Sequence, residues 1–112
     1  MTGTKFVLGQ LIKSSGALKR CSSEFIAACL ARHCAGDWGI VTTDEVDDNN
    51  RAAESGGRLL SLYKMTDGGK LWIVTEAKNE FGDRPATRVF TGEEYYQSIN
   101  ADRDEKAKSP QV

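Results

Sequence analysis

The sequence predicts an α+β domain: a small antiparallel sheet of three or four strands, packed against one apolar helix, with a second, acidic helix on the surface. Three observations predict it. The run Phe25-Ile26-Ala27-Ala28-Cys29-Leu30-Ala31 is Ala-rich and carries apolar residues at helical spacing. Two stretches that alternate in polarity, around residues 58–65 and 70–77, flank Thr66-Asp67-Gly68-Gly69, and Asp-Gly is a strong hairpin signal. Finally, 112 residues with 39% hydrophobic and 28% charged content suit one globular domain, with too little chain for two proper cores.

Taken in order, Lys5 to Lys13 reads as a first strand, with Phe6, Leu8, Gln10 and Ile12 on one face and Val7 and Leu11 on the other. Gly9 within it predicts a bulge or the close approach of another backbone. Ser14-Ser15-Gly16 breaks the strand, and Ala17 to Arg20 suits one helical turn. Ser22 or Ser23 then caps a helix over residues 24–35, with Glu24 at the positive end of its dipole. Phe25, Ile26, Cys29, Leu30 and His33 make one apolar face. Gly36 is placed to end this helix in a left-handed conformation, and Asp37-Trp38-Gly39 forms a tight turn.

Thr42 and Glu45 form a capping box that opens a polar helix over residues 43–55, whose apolar stripe (Val46, Asn50, Ala53) is narrow enough to keep it at the surface. Gly56-Gly57 stops it. The two hairpin strands follow. Leu71 and Ile73 face one way and Trp72 and Val74 the other, the pattern of a central strand or of a sheet covered on both sides. Ala86 to Phe90 is a third strand of the meander, and Thr91 to Glu94 is a second capping box, opening a short helix through Tyr95 and Tyr96. Residues 1–97 are read as the single domain, and the charged segment 98–112, with almost nothing to bury, as a disordered tail.

Charge narrows the function classes. The net charge is −1, whereas a wholesale nucleic-acid binder needs surplus Lys and Arg. The longest apolar run is far below the ~20 residues that cross a bilayer. Three cysteines fit a reduced compartment better than a disulfide framework, and a cytoplasmic protein with no membrane role is expected.

Polar candidates concentrate in Arg32-His33-Cys34-Ala35-Gly36-Asp37-Trp38-Gly39, which holds the only His. His33 and Asp37 have the residue types of an acid–base pair, but the local reading is structural: His33 complements the negative end of the helix dipole and Asp37 closes the turn. Arg32 is expected to pair with Asp37 or Glu76 or to meet a partner. Trp38 either packs between helix and sheet or serves as an exposed interface anchor. Glu76 ends a strand, where it is a further candidate binding residue at the end of the sheet. Asp44, Glu45, Asp47 and Asp48 are a solvated helix face or, on the sharper reading, a mimic of phosphates docking on a basic partner. Cys29 and His33 stand at i, i+4, but no set of four converging zinc ligands is apparent. No Gly-rich phosphate loop, nucleophile elbow or Ser-His-Asp order occurs, so no cofactor, metal or catalytic residue is expected.

The chain resembles a family of small proteins of plasmids, phages and integrated elements. The resemblance rests on Arg32 to Gly39, on Gly57-Arg58-Leu59-Leu60-Ser61-Leu62-Tyr63, on Leu71-Trp72-Ile73-Val74-Thr75-Glu76-Ala77 and on Glu93-Glu94-Tyr95, with Leu8-Gly9-Gln10 and Gly16-Ala17-Leu18 matching its N-terminal pattern; it covers residues 6–96. In that family Thr-Glu-Ala runs into Asp-Arg through a short turn, whereas here Lys78 to Pro85 is longer and Asp83-Arg84 comes later. Some members are described as restriction-modification subunits, yet this chain has no Gly-rich cofactor loop and no Asn-Pro-Pro-Tyr motif. The resemblance, the absence of a catalytic constellation and two interface candidates, the acidic helix and Trp38, together point to a non-enzymatic accessory protein of a mobile element that binds another protein, with phosphate mimicry by the acidic helix fitting an anti-restriction or other anti-defence role. The alternatives are a small nucleic-acid-associated protein using Lys5, Lys13, Lys19, Arg20 and Arg58, and a small enzyme or ligand-binding domain using Arg32, His33, Asp37 and Glu76.

Overall fold

A computed structural model describes residues 4–94. Strand β1 (Gln10–Lys13) leads into helices α1 (Ser15–Arg20), α2 (Ser23–Cys34) and α3 (Thr43–Ser55), and then into strands β2 (Leu59–Lys64), β3 (Lys70–Thr75) and β4 (Ala86–Thr91). The expected α+β architecture is present. Strands β2, β3 and β4 form the antiparallel meander, and the sheet order is β1-β4-β3-β2. The sheet is mixed, because β1 joins β4 in parallel, with Leu11 beside Thr87. Three helices and the β2–β3 hairpin separate β1 from β4 along the chain, so no short turn forces this pair to be antiparallel. The helix expected beyond Glu94 and the tail at 98–112 lie outside the described residues.

Register sorts the sheet into two faces. Leu59, Ser61 and Tyr63, then Leu71, Ile73 and Thr75, then Thr87, Val89 and Thr91 stand opposite one another across the three antiparallel strands. Helices α1 and α2 cover this face: Ala17, Ile26 and Cys29 join Tyr63, Met65, Leu71, Ile73 and Val89 in one buried cluster, with Phe25 and Leu30 packed against it. The other face presents Ile12, Leu60, Leu62, Trp72, Val74, Arg88 and Phe90. The central position foreseen for 70–77 is that of β3.

The first strand is shorter than expected. At Gly9 the backbone turns left-handed (φ 66°), which breaks the alternation, and a Cβ there would collide with the Arg84 and Pro85 backbone. The close approach read from the sequence is real, and it divides the segment. Phe6 turns into the core against His33 and Trp38, while Ile12 goes to the opposite sheet face.

The outer edge of β2 is sealed twice. Asn49 of α3 donates to Leu60 O (2.7 Å) and accepts from Leu60 N–H (3.1 Å), so its amide imitates a neighbouring strand. Leu62 donates to Trp38 O (3.1 Å) and accepts from Ile40 N–H (2.8 Å) through a one-residue parallel bridge at Gly39. Gly39 has φ 79°, and a side chain there would run into Leu62 O, so only glycine brings this turn against the strand. Covering an edge in this way removes a template for unwanted pairing.

Candidate functional site

Helix α2 ends as its sequence dictates, with Gly36 left-handed (φ 85°), and delivers Arg32 and Asp37 to the same side of the turn. Arg32 grips Asp37 through two bonds, Nε to Oδ2 at 2.7 Å and Nη2 to Oδ1 at 3.3 Å, and its guanidinium lies 4.7 Å from the centre of the Tyr63 ring. The hydrogen bond from Arg32 holds the Asp37 carboxyl below its usual range. Asp37 also accepts the Gly39 N–H (3.3 Å), and its backbone carbonyl takes the Tyr63 hydroxyl (2.6 Å). Both partners of the ion pair are about half exposed, so it orders the turn more than it stabilises the fold.

His33, one residue away, is fully buried, and this corrects the expectation that it caps the helix as a cation. Its Nδ1 meets Ser61 Oγ, and its Nε2 lies 2.8 Å from Thr75 Oγ1. Thr75 Oγ1 is 2.7 Å from Thr87 Oγ1, and Thr87 donates to Leu8 O at 2.7 Å. These bonds fix the protons. A hydroxyl has one hydrogen. Thr87 gives its hydrogen to Leu8 O, so it must accept from Thr75; Thr75, its hydrogen spent, must accept from His33. His33 is therefore protonated on Nε2, and its bare Nδ1 accepts from Ser61. The neutral ring is fully satisfied, with one nitrogen donating and the other accepting. Burial, with the Arg84 charge adding to it, lowers the pKa of His33 from 6.5 to about 4.

Trp38 is also in the core, so of its two expected readings the packed one holds and the exposed anchor does not: it is 3% exposed, stacked on Phe6 and edge-on to His33. Its indole N–H donates to Asn50 of α3 (3.0 Å), so it pins the turn to α3. A residue that sequence reasoning passed over completes this region. Arg84 is buried, with its guanidinium 5.6 Å from the centre of the Phe6 ring, and donates to three carbonyls: Gly57 (2.7 Å), Glu76 (3.0 Å) and Ala52 (3.0 Å). It ties the end of α3 and the approach to β2 to the end of β3. Two of its acceptors lie at the C-terminal end of α3, where the helix dipole favours a cation. Burial lowers its pKa, and its Nε finds no partner among the described residues.

Glu76 follows Thr75 and so points away from the His33 side. It pairs loosely with Arg88 (3.4 Å) beside a cavity of about 580 Å³ on the other sheet face, whose lining includes Ile12, Arg58, Val74, Phe90 and Glu94. Glu94 is held in place. It accepts from Ser14 Oγ (2.6 Å), Gly16 N–H (3.1 Å) and Thr91 N–H (2.9 Å), joining the cap of α1 to the end of β4. Burial raises its pKa, but these bonds outweigh it, and the net shift is downward.

On α3, Glu45 is spent on the cap, where the Thr42 hydroxyl accepts its N–H (3.2 Å) and donates to its carboxylate (2.9 Å). Asp48 pairs with Arg51 (2.8 Å). Asp44 and Asp47 are exposed and have no ion pair among the described residues. Three of the five cations expected to form a nucleic-acid face are placed apart. Arg20 is paired with Asp67 (3.0 Å), while Lys13 and Arg58 stand at opposite edges of the sheet. Among the described residues no three His, Cys, Asp or Glu are placed to hold a metal ion, and no helix is long and apolar enough to cross a membrane. The cysteines are free, with Cys29 and Cys34 buried and their thiol pKa values raised by that burial.

No protein-family model, curated protein or solved structure matches this chain.

Proposed function

We propose that this protein is a non-enzymatic accessory protein of a mobile genetic element that acts by binding another protein. The observation that carries the reading is how the polar candidates are spent. General acid–base chemistry needs its groups within reach of one reacting atom. Arg32 and Asp37 neutralise each other at the surface, His33 is buried and neutral, and Glu76 lies across the sheet. Helix α3 carries exposed acidic charge on a firmly mounted element. Asn49 through its bonds to Leu60, Asn50 through its bond to Trp38 and Arg84 at the helix end fix α3, while Asp44 and Asp47 are exposed.

On this reading the α3 acids dock on the basic surface of a partner. The resemblance to plasmid and phage proteins favours a nucleic-acid-binding surface of a defence enzyme as that target. The test is affinity capture from bacterial cells with the tagged chain and with its Asp44→Lys/Asp47→Lys variant. A partner retained by the first, released by salt and missed by the second is the expected result. Recovery of no partner across several conditions would overturn the binding role. A partner indifferent to the charge reversal would overturn the assignment to α3.

A further inference from the structure

The connection from β3 to β4 is longer than a hairpin needs. Glu76 N–H still reaches Ala86 O (3.0 Å), yet Ala77 to Pro85 loop out beyond that bond, where about two to five residues close most hairpins. The fold accounts for both stems of the loop. Lys78 N–H donates to Gly56 O (2.8 Å), and Arg84 donates to Ala52 O and Gly57 O, so both stems are fastened at the C-terminal end of α3. Burial does not account for the tip. Phe81 is 80% exposed, more than any other large apolar side chain described, so its ring adds almost nothing to the core. The tip is nevertheless closely tied. Asn79 Oδ1 accepts the N–H groups of Phe81 (3.0 Å) and Asp83 (3.1 Å), Asn79 N–H donates to Asp83 O (2.8 Å), and Gly82, left-handed at φ 81°, donates to Asn79 O (3.0 Å). A ring carried on a turn that is already ordered loses less conformational freedom on binding than one on a loose loop. Glu80 and Asp83, both exposed, flank it in the sequence.

We infer that Phe81 is a docking anchor, and that it seats in an apolar pocket of another protein whose rim carries Lys or Arg. The ring selects the pocket, because an exposed phenyl gains by leaving water and has no polar group to satisfy. The flanking carboxylates select the rim, since cations there would pair with Glu80 and Asp83 as the ring enters. The same carboxylates argue against tip-to-tip pairing of two copies of this chain, which would set acid against acid, and against a nucleic acid, whose phosphates they repel. The inference rests on the proposed binding of a basic partner protein and adds the apolar half of that contact. Charge on α3 steers the encounter, whereas a seated aromatic slows dissociation.

The test places the photo-crosslinker p-benzoylphenylalanine in the full chain in bacterial cells, as Phe81→p-benzoylphenylalanine, with Leu18→p-benzoylphenylalanine as the control, since Leu18 is also exposed (58%) but lies on α1. Irradiation should give one discrete adduct from position 81 and none of it from position 18, with the cross-linked peptide in an apolar pocket bordered by Lys or Arg. Against that partner in purified form, Phe81→Ser should weaken binding about 30-fold, mainly through faster dissociation and at every salt concentration, while its thermal midpoint stays that of the wild type. No adduct from position 81, equal adducts from both positions, an adduct only with a second copy of this chain, or a partner held equally well by Phe81→Ser would overturn the anchor. The α3 assignment is read separately. A partner lost by Asp44→Lys/Asp47→Lys but kept by Phe81→Ser leaves α3 standing and removes the anchor, and the reverse pattern supports the anchor and removes α3.

Discussion

Protonation of His33 should be the main reason this protein loses stability in mild acid. Its imidazole is neutral in the fold, with a pKa near 4, against 6.5 for an exposed histidine. Above pH 6.5 the ring is neutral in both folded and unfolded chains and adds no pH dependence. Between pH 6.5 and 4 the unfolded chain binds a proton that the folded chain refuses, so stability falls as the pH falls; below 4 the loss is complete. At 1.36 kcal/mol per pH unit, the gap is worth about 3 kcal/mol, a large part of the 5–15 kcal/mol typical of a domain. Because the chain has a single histidine, its Hε1 proton gives one NMR resonance that belongs to no other histidine. That resonance should titrate near pH 4 while the protein remains folded. Denaturant midpoints measured from pH 7 to 5 should drop for the wild type and stay level for His33→Gln, whose amide retains a donor and an acceptor. The upper part of this window separates His33 from the carboxylates, since Asp37, Asp67 and Glu94, all lowered in the fold, act only as the pH approaches their ordinary values near 4. A histidine resonance that titrates above pH 6, or equal pH slopes in the two proteins, would refute the buried hydrogen-bond chain.

Three other substitutions separate the structural devices. Arg84→Met strands the carbonyls of Ala52, Gly57 and Glu76 in the interior and should cost about 3 kcal/mol or more, lowering the thermal midpoint by roughly 15 °C, with Arg84→Lys recovering little because an ammonium cannot span the three acceptors. Asn49→Ala removes both bonds to Leu60 and should cost about 2 kcal/mol, while amide exchange at Leu60 accelerates as the β2 edge is exposed. Arg32→Ala breaks a half-exposed ion pair and should change stability by less than about 1 kcal/mol in a denaturant melt; a larger loss would mean that the stacking on Tyr63 holds the α2 turn in place.

The parts of this fold that were legible in the sequence are those decided within a few residues. The Ser22 cap, the Thr42–Glu45 box, the Gly36 stop, the hairpin and the two-faced pattern of β3 all come from local spacing, and each is found where its residues stand. What escaped the reading links distant segments. Asn49 looked like one more polar residue on a surface helix, yet it is the inner face of α3 and replaces a strand. Thr75 and Thr87 looked like ordinary strand threonines; only the β3–β4 register brings them together beneath His33. Arg84 sat in a loop judged polar, and its partners are backbone carbonyls, which leave no signature in a sequence. One signal was available and misread: Phe6 was assigned to the face of Ile12, although Gly9 between them is the residue that permits a reversal.

The inverted role of His33 shows why a correct local rule gave the wrong charge state. A histidine in the last turn of a helix gains from the dipole when it is protonated, by 0.3–1 kcal/mol near the surface and up to ~2 kcal/mol in partly buried sites. Enclosure between α2, Phe6 and Trp38 charges a penalty of about 3 kcal/mol against the same protonation, and the Arg84 charge works in the same direction. The larger effect wins, and the histidine turns from a cap facing the carbonyls into a neutral link between helix and sheet. The motif that looked most like a reaction centre is thus divided by depth. Its cation and carboxylate cancel outside, and its imidazole is locked inside one fixed tautomer. A proton carrier needs both a route to solvent and a second stable protonation state near neutral pH. His33 has neither: it is fully buried, and its pKa is lowered to about 4.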